Sequence, residues 1–252
     1  EPATGFESFD LGTAVDGGLD FDIGAKDEAA TPDFNPPAAP VSAGNEIKYE
    51  FIGKPDYAMV RLSLQANQTM QVEPSAMAAM DSNIKMVTKA KGGIFAGVKR
   101  MLTHESFFMN EFTAQNSSGD LYISPALPGD MDHINLNNNS IILQGSAFVA
   151  SSMGVSINSK FQGLKGLFNG EGFFFIQASG TGDLFFNTYG GILEIPVNGE
   201  FVVDNGYIVA FDETLSYETE VVGGLKLGLT TFMSGEGIVC RFRGQGRLWI
   251  QT

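Results

Sequence analysis

Residues 129–150 (GDMDHINLNNNSIILQGSAFVA) and residues 190–211 (GGILEIPVNGEFVVDNGYIVAF) decide the fold. Gly129, Ile134 and Gly145 stand 5 and 11 residues apart, and Gly190, Ile195 and Gly206 repeat both spacings at an offset of 61. Under that offset, taken without a gap, Ile141 falls on Val202, Ile142 on Val203, Phe148 on Val209 and Ala150 on Phe211. A fainter third copy places Leu64 and Ser75 under Ile134 and Gly145, with Met70 and Val72 near the apolar pair. Apolar and turn residues recurring at one interval mark a repeated supersecondary unit.

A second element recurs between these. His104-Glu105-Ser106-Phe107-Phe108-Met109 leads to Gly119-Asp120-Leu121-Tyr122-Ile123. Asn169-Gly170-Glu171-Gly172-Phe173-Phe174-Phe175 leads to Gly182-Asp183-Leu184-Phe185-Phe186, and Ser234-Gly235-Glu236-Gly237-Ile238-Val239-Cys240 leads to Gly246-Arg247-Leu248-Trp249-Ile250. Two apolar runs around a Gly-rich turn read as a hairpin or a pair of packed strands. The period is 60–70 residues, too long for a solenoid rung. The expectation is an all-β fold: a pseudo-threefold repeat of antiparallel strand units forming a β-sandwich or prism, which hides sheet edges without helices. Residues 75–80 have helical propensity, but the repeat places them on a turn and strand. No long segment has helical periodicity.

Composition agrees. Hydrophobic residues make up 43% and charged ones 17%, with 31 Gly and 21 Phe, a mix suited to short strands and tight turns. The net charge of −14 repels phosphate backbones, so nucleic-acid binding is not expected, and an anionic membrane is disfavoured for the same reason. Membrane association is expected only indirectly. No run reaches the roughly 18 apolar residues of a membrane span. The single Cys240 excludes an intrachain disulfide and a Cys-based metal site. A cytoplasmic location fits that count, although a chain that begins at Glu1 leaves room for a targeting segment already removed.

Residues 1–44 read as a disordered acidic tail closed by a Pro/Ala linker, and residues 45–252 as the triple-repeat domain. The tail holds nine acids against Lys26, a charge of −8 that leaves −6 for the rest. Such a stretch buries too little apolar area to offset the entropy of ordering it. Within it Phe9-Asp10-Leu11-Gly12 recurs as Phe21-Asp22-Ile23-Gly24, a linear motif expected to bind a protein partner.

Candidate chemistry is sparse. Glu105, Glu171 and Glu236 recur in the repeat and read either as turn carboxylates accepting backbone N–H bonds or as groups holding a divalent cation. Asp120 and Asp183 meet Arg247 in the third copy, which argues against a symmetric metal site. His104 and His133 read as packed or surface residues, and Cys240 as a buried, inert thiol. Phosphate-loop, dinucleotide and nucleophile-elbow patterns are missing. Arg241, Arg243 and Gln245 alternate onto one strand face that could meet an acidic partner. Phe173 and Phe175 lie in a continuous apolar run, read as a strand buried on both faces or as an interface between copies.

Gly223-Gly224-Leu225-Lys226, Gly235-Glu236-Gly237 and Arg243-Gly244-Gln245-Gly246-Arg247-Leu248-Trp249-Ile250-Gln251 resemble the close of the "altered inheritance of mitochondria 24" proteins. Asn169-Gly170-Glu171-Gly172-Phe173-Phe174 and Gly180-Thr181-Gly182-Asp183-Leu184 are similar to that family's middle repeat. The resemblance covers residues 47–252. It implies a fold like the tryptophan RNA-binding attenuator protein and self-association, and it carries no catalytic residues. The chain departs from the pattern in its tail and at His104-Glu105-Ser106, where Gly-Glu-Gly is usual. Together these readings predict a non-catalytic, homo-oligomeric scaffold or protein-interaction module without a cofactor. The alternative is a β-protein that binds a small ligand or a divalent metal.

Overall fold

The computed structural model describes residues 47–90, 108–160, 175–221 and 238–252. The tail 1–44, His104, Glu105, Glu171, Phe173 and Glu236 lie outside the described residues.

The described chain is strand nearly throughout, with two short 3-10 turns and no α-helix among the described residues. A first group comprises β1 (Lys48–Ile52), β2 (Met59–Leu64), β3 (Thr69–Val72), β4 (Met77–Met80), β5 (Ile84–Ala90), β6 (Phe108–Ala114) and β7 (Gly119–Ile123). A second comprises β8 (Met131–Gln144), β9 (Phe148–Ser152), β10 (Val155–Lys160) and β11 (Phe175–Asn187). A third comprises β12 (Ile192–Asp204), β13 (Ile208–Asp212), β14 (Ser216–Val221) and β15 (Ile238–Gln251). Residues 77–80 are strand despite their helical propensity, because β4 hydrogen-bonds along β7.

The strands form the two sheets their alternation demands. In β2, Val60, Leu62 and Leu64 point inward while Met59, Arg61 and Ser63 do not, the period of two that a one-sided strand requires. A four-stranded sheet runs β1-β2-β7-β4. The larger sheet runs β12-β15-β13-β8-β11-β9-β3-β6-β5, with β10 added on β11 and β14 on β15. All ladder pairings between named strands are antiparallel. In the third group β12, β13 and β14 all pair with β15, and in the second β8, β9 and β10 all pair with β11. In the first, β2 and β4 pair with β7 while β3 and β5 pair with β6.

Register corrects the gap-free alignment. Leu184 opposes Ile134 and Leu248 opposes Ile195, so the offset of 61 holds in the first half of β8. Between Gly180 and Thr181 the β8–β11 ladder slips past Asn138, which has φ 52°, whereas β12–β15 runs straight through Gly199↔Gly244. Beyond that bulge the offset is 60. Ile142 therefore corresponds to Val202, Leu143 to Val203 and Phe148 to Ile208, and the 3-10 turns at Gly145–Ala147 and Asn205–Tyr207 coincide. Burial agrees: Leu136 and Val197 are buried before the slip, Leu143 and Val203 after it. In the first group Leu62, not Leu64, takes the place of Ile134, since Leu62 opposes Leu121.

The core falls into three clusters. One gathers Val60, Leu62, Phe112, Leu121 and Ile123; a second gathers Leu143, Phe148, Ile176, Phe186 and Trp249; a third gathers Phe175, Phe211, Phe242 and Leu248. Of the two readings of Phe175, a buried strand or an interface between copies, the first describes it: it is buried in the chain's own core, edge-on to Phe211 at 5.5 Å and to Tyr217 at 5.7 Å. Gly129 and Gly190, the paired markers of the repeat, bridge each other. A Cβ at Gly129 would lie 2.0 Å from the Thr188 carbonyl oxygen, and Gly190 has φ +75°, so neither position accepts a side chain.

Candidate functional site

The richest polar cluster is built on Asp183, which lies within strand β11. β11 sets Asp183 directly across from Asn135 on β8, with Phe185 across from His133. The end of β9 supplies Ser152, and the residue before β1 supplies the backbone of Ile47. Asp183 Oδ1 accepts from His133 Nε2 at 2.9 Å and from Asn135 Nδ2 at 3.1 Å. Oδ2 accepts from the Ile47 N–H at 3.0 Å and from Ser152 Oγ at 3.1 Å, while the Asp183 N–H donates to Ser152 Oγ at 3.0 Å.

Asp183 is 2% exposed. Burial alone would raise its pKa. The bonds from His133, the Ile47 N–H and Asn135, with the charge of His133, outweigh that and hold the carboxyl below its usual value. An ionised carboxylate only accepts, so His133 carries its proton on Nε2. The other ring nitrogen, Nδ1, lies 3.0 Å from the Tyr49 hydroxyl, accepting from it when the ring is neutral and donating to it when the ring is charged. Tyr49 is fixed edge-on to Phe51 and Phe185. The result is a Tyr49–His133–Asp183 chain in which both carboxylate oxygens are doubly engaged.

Beside it lies a groove of about 910 Å³ lined by Lys48, Gln68, Asn135, Ser152, Thr181 and Asp183 among others. A smaller hollow of about 350 Å³ sits over Phe175, Phe211 and Tyr217. There burial pushes the Tyr217 hydroxyl up to about 12, and burial followed by the charge of Asp204 pushes the Cys240 thiol up to about 11. Cys240 is buried and protonated at neutral pH. Among the described residues no group of three His, Cys, Asp or Glu is placed to hold a metal ion.

The basic face read on β15 is already occupied. Arg241 donates to Glu220 at 2.8 and 3.0 Å and also bonds Glu200. Arg243 bonds Glu200 at 2.9 Å and Glu218 at 2.8 Å. These three glutamates come from β12 and β14, so the face meets its acidic partner within the chain. Arg247 grips Asp212 at 3.1 Å through two nitrogens and lies 4.7 Å from the centre of the Trp249 ring.

The pattern Asp120, Asp183, Arg247 follows the residue across the ladder. The cross-strand neighbours are Ser63, Asn135 and Pro196. Ser63 donates to Asp120 at 2.7 Å and Asn135 to Asp183, but Pro196 has no side-chain donor, and there the charge is reversed. Asn135, Ser152 and Tyr49 were not singled out in the sequence. The only available signal was a His in one half of the repeat and an Asp in the other, 50 residues apart.

A family profile described as "Mitochondrial biogenesis AIM24" matches residues 49–252. An uncharacterized protein of Streptococcus pyogenes serotype M6 is 26% identical over 218 residues, 82% of this chain and 86% of that protein. The crystal structure of a Streptococcus pyogenes protein superposes with a TM-score of 0.69 at 25% identity, covering 82% of this chain and 94% of that one. With a profile match across the whole strand-built region, the chain belongs to the mitochondrial biogenesis AIM24 family.

Proposed function

We propose that this protein is a non-catalytic interaction module. Its body, residues 45–252, is a set of three like strand units that presents sheet surfaces and edges and self-associates. The acidic segment 1–44 engages a further protein through Phe9-Asp10-Leu11-Gly12 and Phe21-Asp22-Ile23-Gly24. The observation that carries the reading is the closed state of the Asp183 network. Its residues are the types used in acid–base catalysis, yet both carboxylate oxygens and both His133 nitrogens are spent on the protein itself. Such a cluster pins four chain segments together and leaves the Asp183 carboxylate no free lone pair for a substrate. Affinity capture with the full chain and with residues 1–44 deleted tests the proposal: the partner is retained by the first and lost with the second. A partner captured equally by both would refute the role of the tail.

A second reading rests on the groove. Lys48, Asn135 and Thr181 beside Asp183 suit a small polar ligand. Thermal-shift and calorimetric screens of polar metabolites and divalent cations would detect it, and silence across both would remove it.

A further inference from the structure

Two junctions inside this chain join one group of strands to the next, and they share one register. At the first, β13 pairs with β8 through Ala210↔Leu143, Phe211↔Ile142 and Asp212↔Ile141. At the second, β9 pairs with β3 through Ala150↔Val72, Ser151↔Gln71 and Ser152↔Met70. Ala210 corresponds to Ala150 and Leu143 to Val72, because β13 and β9 begin at Ile208 and Phe148, and β8 and β3 end their buried runs at Leu143 and Val72. In each case the second strand of one group lies along the strand that ends the equivalent stretch of the group before it: β8 in the second group, and in the first β3, which with β2 takes the place of one long strand.

The series predicts a third junction that the chain does not make with itself. Its strands are β4, which begins at Met77 as β9 begins at Phe148, and β12. The shared register would place Ala79 against Val203, Met80 against Val202 and Asp81 against Phe201. Among the described residues β4 pairs only with β7 and β12 only with β15, which leaves one edge of each open. Met80, Phe201 and Val202 are exposed at 38%, 38% and 43%. The first half of β12 carries Pro196, a residue that keeps an edge from templating another strand; residues 201–203 have no such guard.

We propose that these two open edges are the halves of one interface, closed by a second copy of this chain in that register. Resting on the self-association proposed above, this assigns it an address. The contact is head-to-tail, because β4 of one copy meets β12 of the next, so copies add until a ring closes or a filament grows.

Paired cysteines test it in the full-length chain. Opposed residues of antiparallel strands have Cα atoms about 4.5–5.5 Å apart, within disulfide reach. Met80→Cys combined with Val202→Cys, mildly oxidised, should yield a ladder of linked chains on non-reducing gels that collapses with reductant. Met80→Lys or Val202→Lys should reduce the wild-type assembly to monomer in sedimentation, with strand content unchanged and the unfolding midpoint no longer dependent on protein concentration. A fast-running internally linked monomer without a ladder would overturn the proposal, as would wild-type protein that is monomeric at micromolar concentration. Association that survives both lysines would overturn this register while leaving self-association standing. A ladder that forms only once residues 1–44 are deleted would put the tail on the edge of the full chain instead of a second copy, and would overturn the proposal.

Discussion

Replacing Asp183 by Asn changes one oxygen for an amide and keeps the shape. The cost follows from the four donors the carboxylate accepts. The least damaging orientation turns the new amide toward Ser152, whose hydroxyl can rotate to accept. His133 and Asn135 then still donate to the remaining oxygen, but to a neutral acceptor, which loses about 1 kcal/mol for each bond. The Ile47 N–H is left buried opposite a donor, an orphan worth about 1–3 kcal/mol. The sum is about 3–5 kcal/mol, which at a urea slope of about 2–3 kcal/mol/M corresponds to a midpoint lowered by about 1–2.5 M. The control is Asp120→Asn, where Ser63 donates at 2.7 Å in a half-exposed setting and the expected cost is below about 1 kcal/mol. The pH dependence adds a second reading. Folding lowers the Asp183 pKa, so its stabilisation is complete above the unfolded value of about 4 and is lost as pH falls through the lower folded value. The gap between wild type and Asp183→Asn should be flat from neutrality down to about pH 4 and should close below it. Equal losses for the two variants, or a gap that persists unchanged in strong acid, would refute the account of Asp183 as the pinned centre of the network.

Three further outcomes are expected. Burial pushes Glu73 up to about 7, so the folded state resists its ionisation and stability falls as pH rises from the unfolded value of about 4.3 through 7; Glu73→Gln should match wild type at pH 4 and exceed it at pH 8 in thermal melts. Gly129→Ala drives a Cβ into the Thr188 carbonyl and should cost about 2 kcal/mol or more in denaturant, with Tyr57→Ala at an exposed site as the silent comparison. Phe242→Ala empties a fully buried site packed on Phe211 and Tyr217 and should cost about 3–5 kcal/mol by the same measurement.

The strand content was legible because it rests on local signals, the apolar runs flanked by glycines that recur at one interval; the Gly-rich turn read between those runs is instead continuous strand in the second and third copies, where β11 and β15 pass straight through Gly182 and Gly246. The slip at Asn138 was not legible, since three consecutive asparagines read equally well with or without an extra residue. The Asp183 network was illegible for a different reason. Ile47, His133, Asn135 and Ser152 are scattered along the chain, and only the pairing of β8 with β11 brings them to one carboxylate. The Arg241–Arg243 face was read correctly as one strand side. Its neutralisation depended on which strands flank β15, a matter of topology and not of local pattern.

The odd residue at Asn138 has an evolutionary side. In a ladder, adding one amino acid normally swaps inside for outside along everything that follows. Here the surplus is tucked into a kink, and Leu143 still points where Val203 does. That loop of slack makes the middle of β8 a place where the gene can gain or lose a codon without the interior noticing, so copies of an ancestral segment could drift apart in length while continuing to stack.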